Sequence, residues 1–525
     1  MTKTVKLFFT ILIILFSVIT PLCSYADSPL IDLYKGRNEL SYLANSDISS
    51  LVFYSEYDFS ADEQLYYNSD IKELIRKIDH AGELYNQSNV STSYYECRKI
   101  LREMKPNDFY YMYFAYKFAQ MGFFSLAKEA VSKVKDSEIW NSHAESIKTN
   151  LIPLFELRLP EEIFMAELYC DIKFNNLTEE SIKKLVKNGK TLSNSDYGSY
   201  VKAVAYYTEK KYKKALSEIE KALSKNSENI EYIKCKAEIL IALENRKEAL
   251  KTLNLIDEKN IIFIETIKSV DKIKYYILSS SGKNENENKY NLAYYFYLNK
   301  DYQRAMKELS ALVSKGELKK PAELLGKIYF ITGKTENAEK LYEKCVSKNK
   351  KASFAYKGLG DILLSQKDYE RAYERYKTAY KYDKKNSEIL TALVVTAAKT
   401  NAAEEKYKYL LKLKKIAPTN FRTLYLCSKF TGDKDNHFLK SSLKYNPFYP
   451  EGWLDLAEYE YNRDNIKMAE EYVNTAAFIT KNNPRYFYYK SLVNSSKNDI
   501  KTALEDIKHA KAFINQEGYK TYEQL

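Results

Sequence analysis

The feature that most constrains the fold of this 525-residue chain is a pair of small residues, twelve positions apart, that recurs along the sequence. The pairs are Ala115/Ala127, Ala203/Ala215, Ala237/Ala249, Ala293/Ala305, Gly326/Ala338, Gly360/Ala372, Ala457/Ala469 and Ser491/Ala503. Three steps between neighbouring pairs, from Ala203 to Ala237, from Gly326 to Gly360 and from Ala457 to Ser491, measure 34 residues. A fixed period in the range of about 20 to 50 residues indicates stacked structural repeats.

Residues 353–386 show one repeat most fully. Large residues recur at helical spacing around Gly360 and again around Ala372, which predicts two antiparallel helices that cross closely at these two small residues. The unit resembles the W-x2-L-G-x2-Y…A-x3-F…P pattern of the tetratricopeptide-repeat family. This resemblance implies an all-α, right-handed solenoid of antiparallel helix pairs, about ten to twelve units long, with a concave groove lined by the first helix of each pair.

The spacing of the small residues divides the chain. We predict an atypical N-terminal cap over 27–73, a first repeat array over 74–263, a second over 286–517, and a tail over 518–525. The first array carries an insertion near 142–161, and an interruption over 264–285 separates the arrays. Ser279 to Asn284 has the composition of a linker, so the interruption is either a hinge or an extra helix. In the second case the superhelix is continuous and each unit contacts only its neighbours.

Residues 1–26 have the organisation of a signal peptide. Lys3 and Lys6 precede an apolar stretch, and Ala26 ends a small-residue cleavage site. We therefore expect an exported, periplasmic or extracellular chain that begins at Asp27 and has no transmembrane segment after cleavage. Two alternatives remain, an uncleaved membrane anchor and lipidation at Cys23.

The charge and the cysteines exclude some classes of function. The formal net charge of +12 becomes +10 without the signal peptide, and the basic residues form no concentrated stripe, so we expect no nucleic-acid partner. After cleavage five cysteines remain, odd in number and without a C-x-x-C motif. We predict that they are buried free thiols, which behave as small hydrophobic residues.

No catalytic motif is present. The four histidines lack the spacing of metal ligands, and neither a Gly-rich phosphate loop nor a nucleophile elbow occurs. Repeats and insertions account for nearly all of residues 74–517, so we predict a chain that is not an enzyme and that needs no cofactor or metal.

Tyrosine is unusually abundant, with 49 residues against 24 phenylalanines. Many fill large-residue positions of the repeat, as we expect for Tyr356 and Tyr376, but others fall on the groove face of a first helix. By register these are Tyr85, Tyr116, Tyr197, Tyr200, Tyr207, Tyr290, Tyr294, Tyr297, Tyr461 and Tyr488. Tyrosine combines a large apolar ring with an outward hydroxyl, a mixture that is favoured at interfaces. The alternative is a tyrosine-rich composition without a special groove.

The same face carries charges of both signs. They are Lys234, Lys320, Lys327, Lys357, Glu231, Glu238, Glu323, Asp361 and Glu458, which form no single-sign clamp for a carboxylate. The resemblance implies a scaffold that binds a protein or peptide in the groove, and the export signal suggests the assembly of a cell-envelope complex. The alternative function is binding of envelope polysaccharide, with tyrosine rings stacked on sugars.

Overall fold

The computed structural model describes residues 33, 37, 52, 69–150, 164, 166–168, 170, 177–188, 190–256, 264–400, 402–433, 435–479 and 483–515. These ranges contain 26 α-helices and no strand. The predicted signal peptide, the tail 518–525 and nearly all of the predicted cap 27–73 lie outside the described residues. Within the described ranges, no helix combines the length and the apolarity that crossing a membrane requires.

The first half of the helices runs from the N-terminal repeats to the tyrosine-rich segment. They are α1 (Ser69–Asn86), α2 (Val90–Glu103), α3 (Asp108–Gln120), α4 (Phe124–Ser132), α5 (Ser137–Asn150), α6 (Glu179–Asn188), α7 (Lys190–Ser193), α8 (Asp196–Thr208), α9 (Tyr212–Lys225), α10 (Ile230–Ala242), α11 (Arg246–Leu253), α12 (Ile264–Leu278) and α13 (Glu285–Leu298).

The second half is an uninterrupted series. It comprises α14 (Tyr302–Ser314), α15 (Lys320–Ile331), α16 (Thr335–Lys348), α17 (Ser353–Ser365), α18 (Tyr369–Tyr382), α19 (Ser387–Lys399), α20 (Ala403–Ile416), α21 (Phe421–Phe430), α22 (His437–Tyr445), α23 (Pro450–Tyr461), α24 (Ile466–Ile479), α25 (Pro484–Ser496) and α26 (Ile500–Asn515).

Consecutive helices pack as pairs, and the small residues lie where the two helices of a pair cross. The pairs are α1/α2, α3/α4, α8/α9, α10/α11, and then every two helices from α13 to α26. A Cβ atom on Gly360 would lie 2.6 Å from the Tyr376 ring, and one on Gly326 would lie 2.4 Å from the Tyr342 ring. Ala372 is completely buried. The structure therefore confirms the all-α solenoid of helix pairs. Glycine is required at positions 326 and 360 because a tyrosine of the second helix lies against each of them.

The turn inside a pair has a recurrent local structure. One residue adopts the left-handed region, as Lys367 does with φ 61° and Gly333 with φ 73°. After Lys367, the side chain of Asp368 accepts a hydrogen bond from the backbone N–H of Arg371 at 3.1 Å and caps α18. The cap satisfies a donor that a helix N-terminus otherwise leaves open.

The interruption at 264–285 contains helix α12, which packs into the array. Val270 and Ile277 are each 1% exposed and belong to the same apolar cluster as Leu240 and Leu253. The linker-like loop after α12 is also held in place, because the side chain of Asn284 accepts a hydrogen bond from the N–H of Glu287 at 2.9 Å. The interruption therefore contains an extra helix, which is one of the two alternatives offered above. A hinge at this position stays a prediction.

The two ends of the array contact each other along a surface that we call the seam, formed by α3 and α5 on one side and α22, α23 and α24 on the other. The Asn107 amide donates to Thr475 Oγ1 at 3.0 Å, and His143 Nε2 lies 2.7 Å from the carbonyl oxygen of Lys444. The predicted insertion near 142–161 is described only to residue 150, as part of α5, so it supplies a helix of the seam.

Aromatic side chains fill the seam. Phe109 makes edge-on ring contacts with Phe448, Trp453 and Phe478, with ring centroids 5.6, 6.3 and 5.6 Å apart. Trp140 stacks on Trp453 at 5.9 Å with an interplanar angle of 13°. These are the two tryptophans of the chain, so their stacking reports on the seam alone.

The buried apolar residues also connect the two ends of the array. Among the described residues, one apolar cluster contains residues from both ends of the array, whereas the middle units have two separate clusters, within 230–277 and 293–362. The expectation that each unit contacts only its neighbours is therefore wrong at the ends. Burial of aromatic surface between the terminal units stabilises a contact that a linear array lacks.

Buried polar groups reinforce the C-terminal units. Arg485, 4% exposed, pairs with Glu451 at 2.8 Å and with Asp455 at 2.5 Å, and the Tyr425 hydroxyl donates to Asp455 at 2.7 Å. Burial alone would raise the pKa of Asp455, but Arg485 and Lys429 hold it below its ordinary value. Elsewhere the five cysteines predicted to be free thiols, Cys97, Cys170, Cys235, Cys345 and Cys427, are free and buried, which confirms that prediction.

Candidate functional site

Half-buried tyrosines form one stripe on α13. Tyr290, Tyr294 and Tyr297 are spaced four and three residues apart, and each is partly exposed. Tyr275 of α12 stacks on Tyr294 with ring centroids 4.1 Å apart. We call these four residues the tyrosine ledge. Burial raises the pKa of Tyr290 and of Tyr294 well above the ordinary value, so both hydroxyls stay protonated and can donate hydrogen bonds.

The ledge lies on the side of the array that the repeat register predicts to be concave. Tyr294 on α13 lies near enough to Glu388 on α19, three helix pairs later, for the carboxylate to contribute to its raised pKa. Glu323 on α15 is influenced by Glu388 in the same way. Direct contacts join neighbouring first helices on this side, since Lys357 on α17 pairs with Glu388 on α19 and Lys327 on α15 lies over the Tyr297 ring of α13. We call the side formed by α10, α12, α13, α15, α17 and α19 the inner face.

An ion-pair network crosses the inner face between α17 and α19. Lys357 Nζ lies 2.9 Å from Asp361 Oδ2 and 3.2 Å from Glu388 Oε2. The Tyr376 hydroxyl donates to the other Asp361 oxygen at 2.8 Å. Lys357 is the main cause that lowers the pKa of Glu388 to about 2, so this side chain is ionised at neutral pH. The network fixes neighbouring repeats to each other at the surface where a partner would lie.

Two carboxylates on the inner face differ from Glu388. Among the described residues, neither Glu238 on α10 nor Glu323 on α15 has an ion pair or a hydrogen bond through its side chain. Both are reached by solvent, yet the surrounding walls remove part of their hydration, and this desolvation raises the pKa of each. These two carboxylates are therefore hydrogen-bond acceptors without a partner among the described residues.

Most lysines of the inner face already have a partner. Lys234 pairs with Glu231 at 3.0 Å, and Lys274 lies 3.9 Å from Asp271. Lys327 lies over the Tyr297 ring at 5.6 Å from its centroid. Lys357 has partners too, whereas Lys320 at the start of α15 is exposed and forms no ion pair among the described residues.

The structure divides the predicted groove tyrosines into two groups. Tyr85, Tyr116, Tyr197 and Tyr200 are 0%, 5%, 2% and 6% exposed and belong to the apolar core, so for them the groove placement is corrected. Tyr207, Tyr290, Tyr294, Tyr297, Tyr461 and Tyr488 are half-buried and remain available as candidates.

Neighbouring helices explain the buried tyrosines. The Tyr197 ring contacts Phe124 at 6.1 Å, and the Tyr200 ring contacts Tyr232 at 5.0 Å. The short helix α7 covers the start of α8 so closely that a Cβ on Gly198 would lie 1.9 Å from the Leu192 carbonyl oxygen. Helices α6 and α7 also pack against α8, which carries both tyrosines.

Sequence reasoning missed Tyr275 and Glu388. Tyr275 was overlooked because 264–285 was interpreted as an interruption; the apolar spacing of Val270 and Ile277 would have revealed its helix. Glu388 is two residues into α19, where it resembles an ordinary first-turn acidic residue. The described ranges also bring together no group of three His, Cys, Asp or Glu side chains that could hold a metal ion.

Two segments of the chain match known families. Residues 158–255 match the family described as anaphase-promoting complex, cyclosome, subunit 3, and residues 323–388 match the tetratricopeptide repeat family. No curated protein matches the chain as a whole or in part.

Solved structures of low sequence identity are also similar. The Cut9–Hcn1 hetero-tetramer of the APC/C matches with 13% identity and a TM-score of 0.41, over 84% of this chain and 94% of that chain. PilF of Pseudomonas aeruginosa matches with 16% identity and a TM-score of 0.25, over 45% of this chain and 97% of that chain. YrrB, a TPR protein with an unusual peptide-binding site, matches with 16% identity and a TM-score of 0.23, over 39% of this chain and 96% of that chain.

Proposed function

Because the chain is a tetratricopeptide-repeat protein, we propose that it is a non-enzymatic scaffold whose inner face binds an extended segment of a protein partner. The observation that carries this proposal is the tyrosine ledge. Tyr275, Tyr290 and Tyr294 are partly exposed, and among the described residues their hydroxyls have no hydrogen-bond partner. Rigid aromatic side chains with a free hydroxyl anchor partners at low entropic cost.

The place of action belongs to the same proposal. The sequence of residues 1–26 supports export to the periplasm or the extracellular space, and we propose that the scaffold acts there in the assembly of a cell-envelope complex. N-terminal sequencing of the native protein should find Asp27 as the first residue. An acyl chain on Cys23, or recovery of the full-length chain from the cytosol, would contradict export in soluble form.

The binding function is tested by site-specific photo-crosslinking. A photoreactive amino acid in place of Tyr294 faces the groove, and one in place of Glu336, on the outer helix α16, serves as the matched control. Crosslinking in native extract, followed by mass spectrometry for peptide and for glycan, should give a protein adduct at position 294 and none at 336. A glycan adduct would support the alternative, a polysaccharide-binding protein. Equal protein adducts at both positions would refute binding in the groove.

A further inference from the structure

Pairs of adjacent lysines recur where one repeat joins the next, at or shortly after the ends of α14, α16, α18 and α20. All eight residues are exposed, and we call them the lysine row: Lys319/Lys320, Lys350/Lys351, Lys384/Lys385 and Lys414/Lys415. The pairs lie 31, 34 and 30 residues apart, so the sequence does not show them as one stripe. Because the helices of a solenoid alternate in direction, the second helices of successive pairs end at the same edge.

Contacts between repeats place the turns of the lysine row side by side. At the start of α17, Ser353 Oγ donates to the carbonyl oxygen of Ala379, near the end of α18, at 2.9 Å. Farther along the array, Lys412 Nζ on α20 donates to the Tyr380 hydroxyl on α18 at 3.0 Å. The last three pairs of the row therefore lie in neighbouring turns of one edge.

The fold does not account for these charges. Among the described residues none of the eight lysines has an ion pair or a hydrogen bond through its side chain, although Lys414 lies over the Phe438 ring at 4.8 Å. The first three pairs lie within three residues of the start of α15, α17 or α19. The positive end of a helix dipole disfavours cations at that place. The charges therefore favour an external anionic partner over a role in folding.

Few acidic residues offset the lysine row. Twelve lysines, no arginine and two acidic residues, a net charge of +10, occur in the stretches 315–320, 348–351, 381–385 and 412–416. The whole chain has a net charge of +12. Both acids have a partner, since Glu317 accepts a hydrogen bond from Asn286 at 3.1 Å and Asp383 accepts one from Asn386 at 3.2 Å. This edge therefore carries a concentrated positive charge.

Exposed apolar side chains accompany the lysines. Tyr382, Ile416 and Tyr445 are the last residues of α18, α20 and α22, and they are 36%, 41% and 47% exposed. Each directly follows a lysine in the sequence. Lysines interspersed with tyrosine and aliphatic side chains are typical of protein surfaces that lie on a bilayer.

The absence of arginine from these stretches narrows the choice of partner. Arginine binds single carboxylates with two parallel hydrogen bonds and is enriched at protein interfaces, where lysine is depleted. Lysine is a point charge that suits a diffuse negative surface, such as a layer of anionic lipid headgroups. We propose that this edge of the array binds the surface of a bilayer that contains anionic phospholipids. The lysine row is attracted to the headgroups, and the three apolar side chains enter the interfacial layer. The inference does not depend on the proposed function, because the inner face is a different surface.

The test measures binding of the full-length protein to vesicles of phosphatidylcholine, with or without phosphatidylglycerol, by flotation. The row variant combines Lys350→Gln, Lys351→Gln, Lys384→Gln and Lys385→Gln. The control variant removes the same charge from four exposed lysines of the first array, which have no ion pair among the described residues, by Lys183→Gln, Lys187→Gln, Lys213→Gln and Lys247→Gln. Every variant retains residues 1–26, so a difference between variants reports on the lysines alone.

We expect the anionic vesicles to bind about tenfold or more tightly than the neutral ones, and salt to weaken this binding. The row variant should lose about tenfold or more of the affinity, and the control variant less than about threefold. Ile416→Ser combined with Tyr445→Ser should weaken binding about fivefold, because both side chains leave water at the bilayer surface.

The outcomes distinguish a bilayer from an acidic polymer, for which soluble poly-glutamate is the probe. If the row variant loses poly-glutamate and vesicles alike, and Ile416→Ser with Tyr445→Ser weakens neither, the edge binds an acidic chain and the bilayer is refuted. Equal affinity for neutral and anionic vesicles, equal losses in the row and control variants, or no vesicle binding at all also refutes the proposal.

Discussion

Replacing Phe109 by alanine should open the seam while leaving the helix pairs folded. The Phe109 side chain is 3% exposed, and three of its ring partners, Phe448, Trp453 and Phe478, belong to the other end of the array. Removal of a buried phenylalanine ring costs about 3–5 kcal/mol. Aromatic pairs contribute about 0.5–1.5 kcal/mol each beyond burial, so a large part of this loss falls on contacts across the seam.

The stacked tryptophans provide the assay. Trp140 and Trp453 are the only two in the chain, and they stack on opposite sides of the seam. In a urea titration of Phe109→Ala, we expect the tryptophan emission to shift to the red, and the near-ultraviolet dichroism to fall, before helicity is lost. With a urea dependence of about 1–3 kcal/mol per molar, the midpoint of the tryptophan transition should fall by about 1 M or more.

Phe123→Ala is the matched control. Phe123 is completely buried, but its ring contacts are with Tyr85 and Tyr94, at the same end of the array. This variant should lose stability without an early tryptophan transition. If the two variants give the same order of transitions, or if Phe109→Ala leaves the tryptophan midpoint unchanged, the terminal units do not hold each other in solution and the closure is refuted.

Three further predictions concern packing, buried charge and pH. Ala372→Leu should force the helices of its pair apart and lower the free energy of unfolding by about 1–3 kcal/mol; an unchanged melting temperature would contradict close crossing there. Arg485→Ala should cost about 3–5 kcal/mol, because it leaves Glu451 buried without its cation and leaves Asp455 with Lys429 alone. Arg485→Met combined with Glu451→Gln and Asp455→Asn should recover much of that loss in chemical denaturation. Burial lowers the pKa of His143 to about 3, so the folded state binds fewer protons than the unfolded state between about pH 6.5 and 3. The free energy of unfolding should therefore decrease as the pH is lowered across that window, by up to about 1.4 kcal/mol per pH unit. His143→Gln should flatten the profile of melting temperature against pH.

The candidate site was partly accessible to sequence reasoning. The stripe of Tyr290, Tyr294 and Tyr297 follows from helical spacing alone, and the structure places all three half-exposed on one helix. Whether such a stripe is open to a partner depends on what covers the helix. Tyr197 and Tyr200 have an equivalent register, but they fill the space beside Phe124 and Tyr232, and no local pattern distinguishes the two cases.

By itself, the sequence determined the repeating unit. A 34-residue period with small residues at fixed positions has one economical explanation, a helix pair whose backbones approach closely, because any larger side chain at Gly360 would meet the Tyr376 ring. The interactions involved join residues that are close in sequence, so the repeat period can be read from the sequence itself.

Only the tertiary structure decided that the array closes on itself. The contacts of Phe109 with Phe478 and of His143 with Lys444 join residues more than 300 positions apart. The side chains that form the seam are apolar and aromatic, as are those that pack one repeat on the next, so the sequence does not mark them as different. Their meeting depends on the curvature accumulated over many units and on the extra helix α5, which packs against α22. The accumulated curvature is a property of the whole superhelix, and no single repeat encodes it.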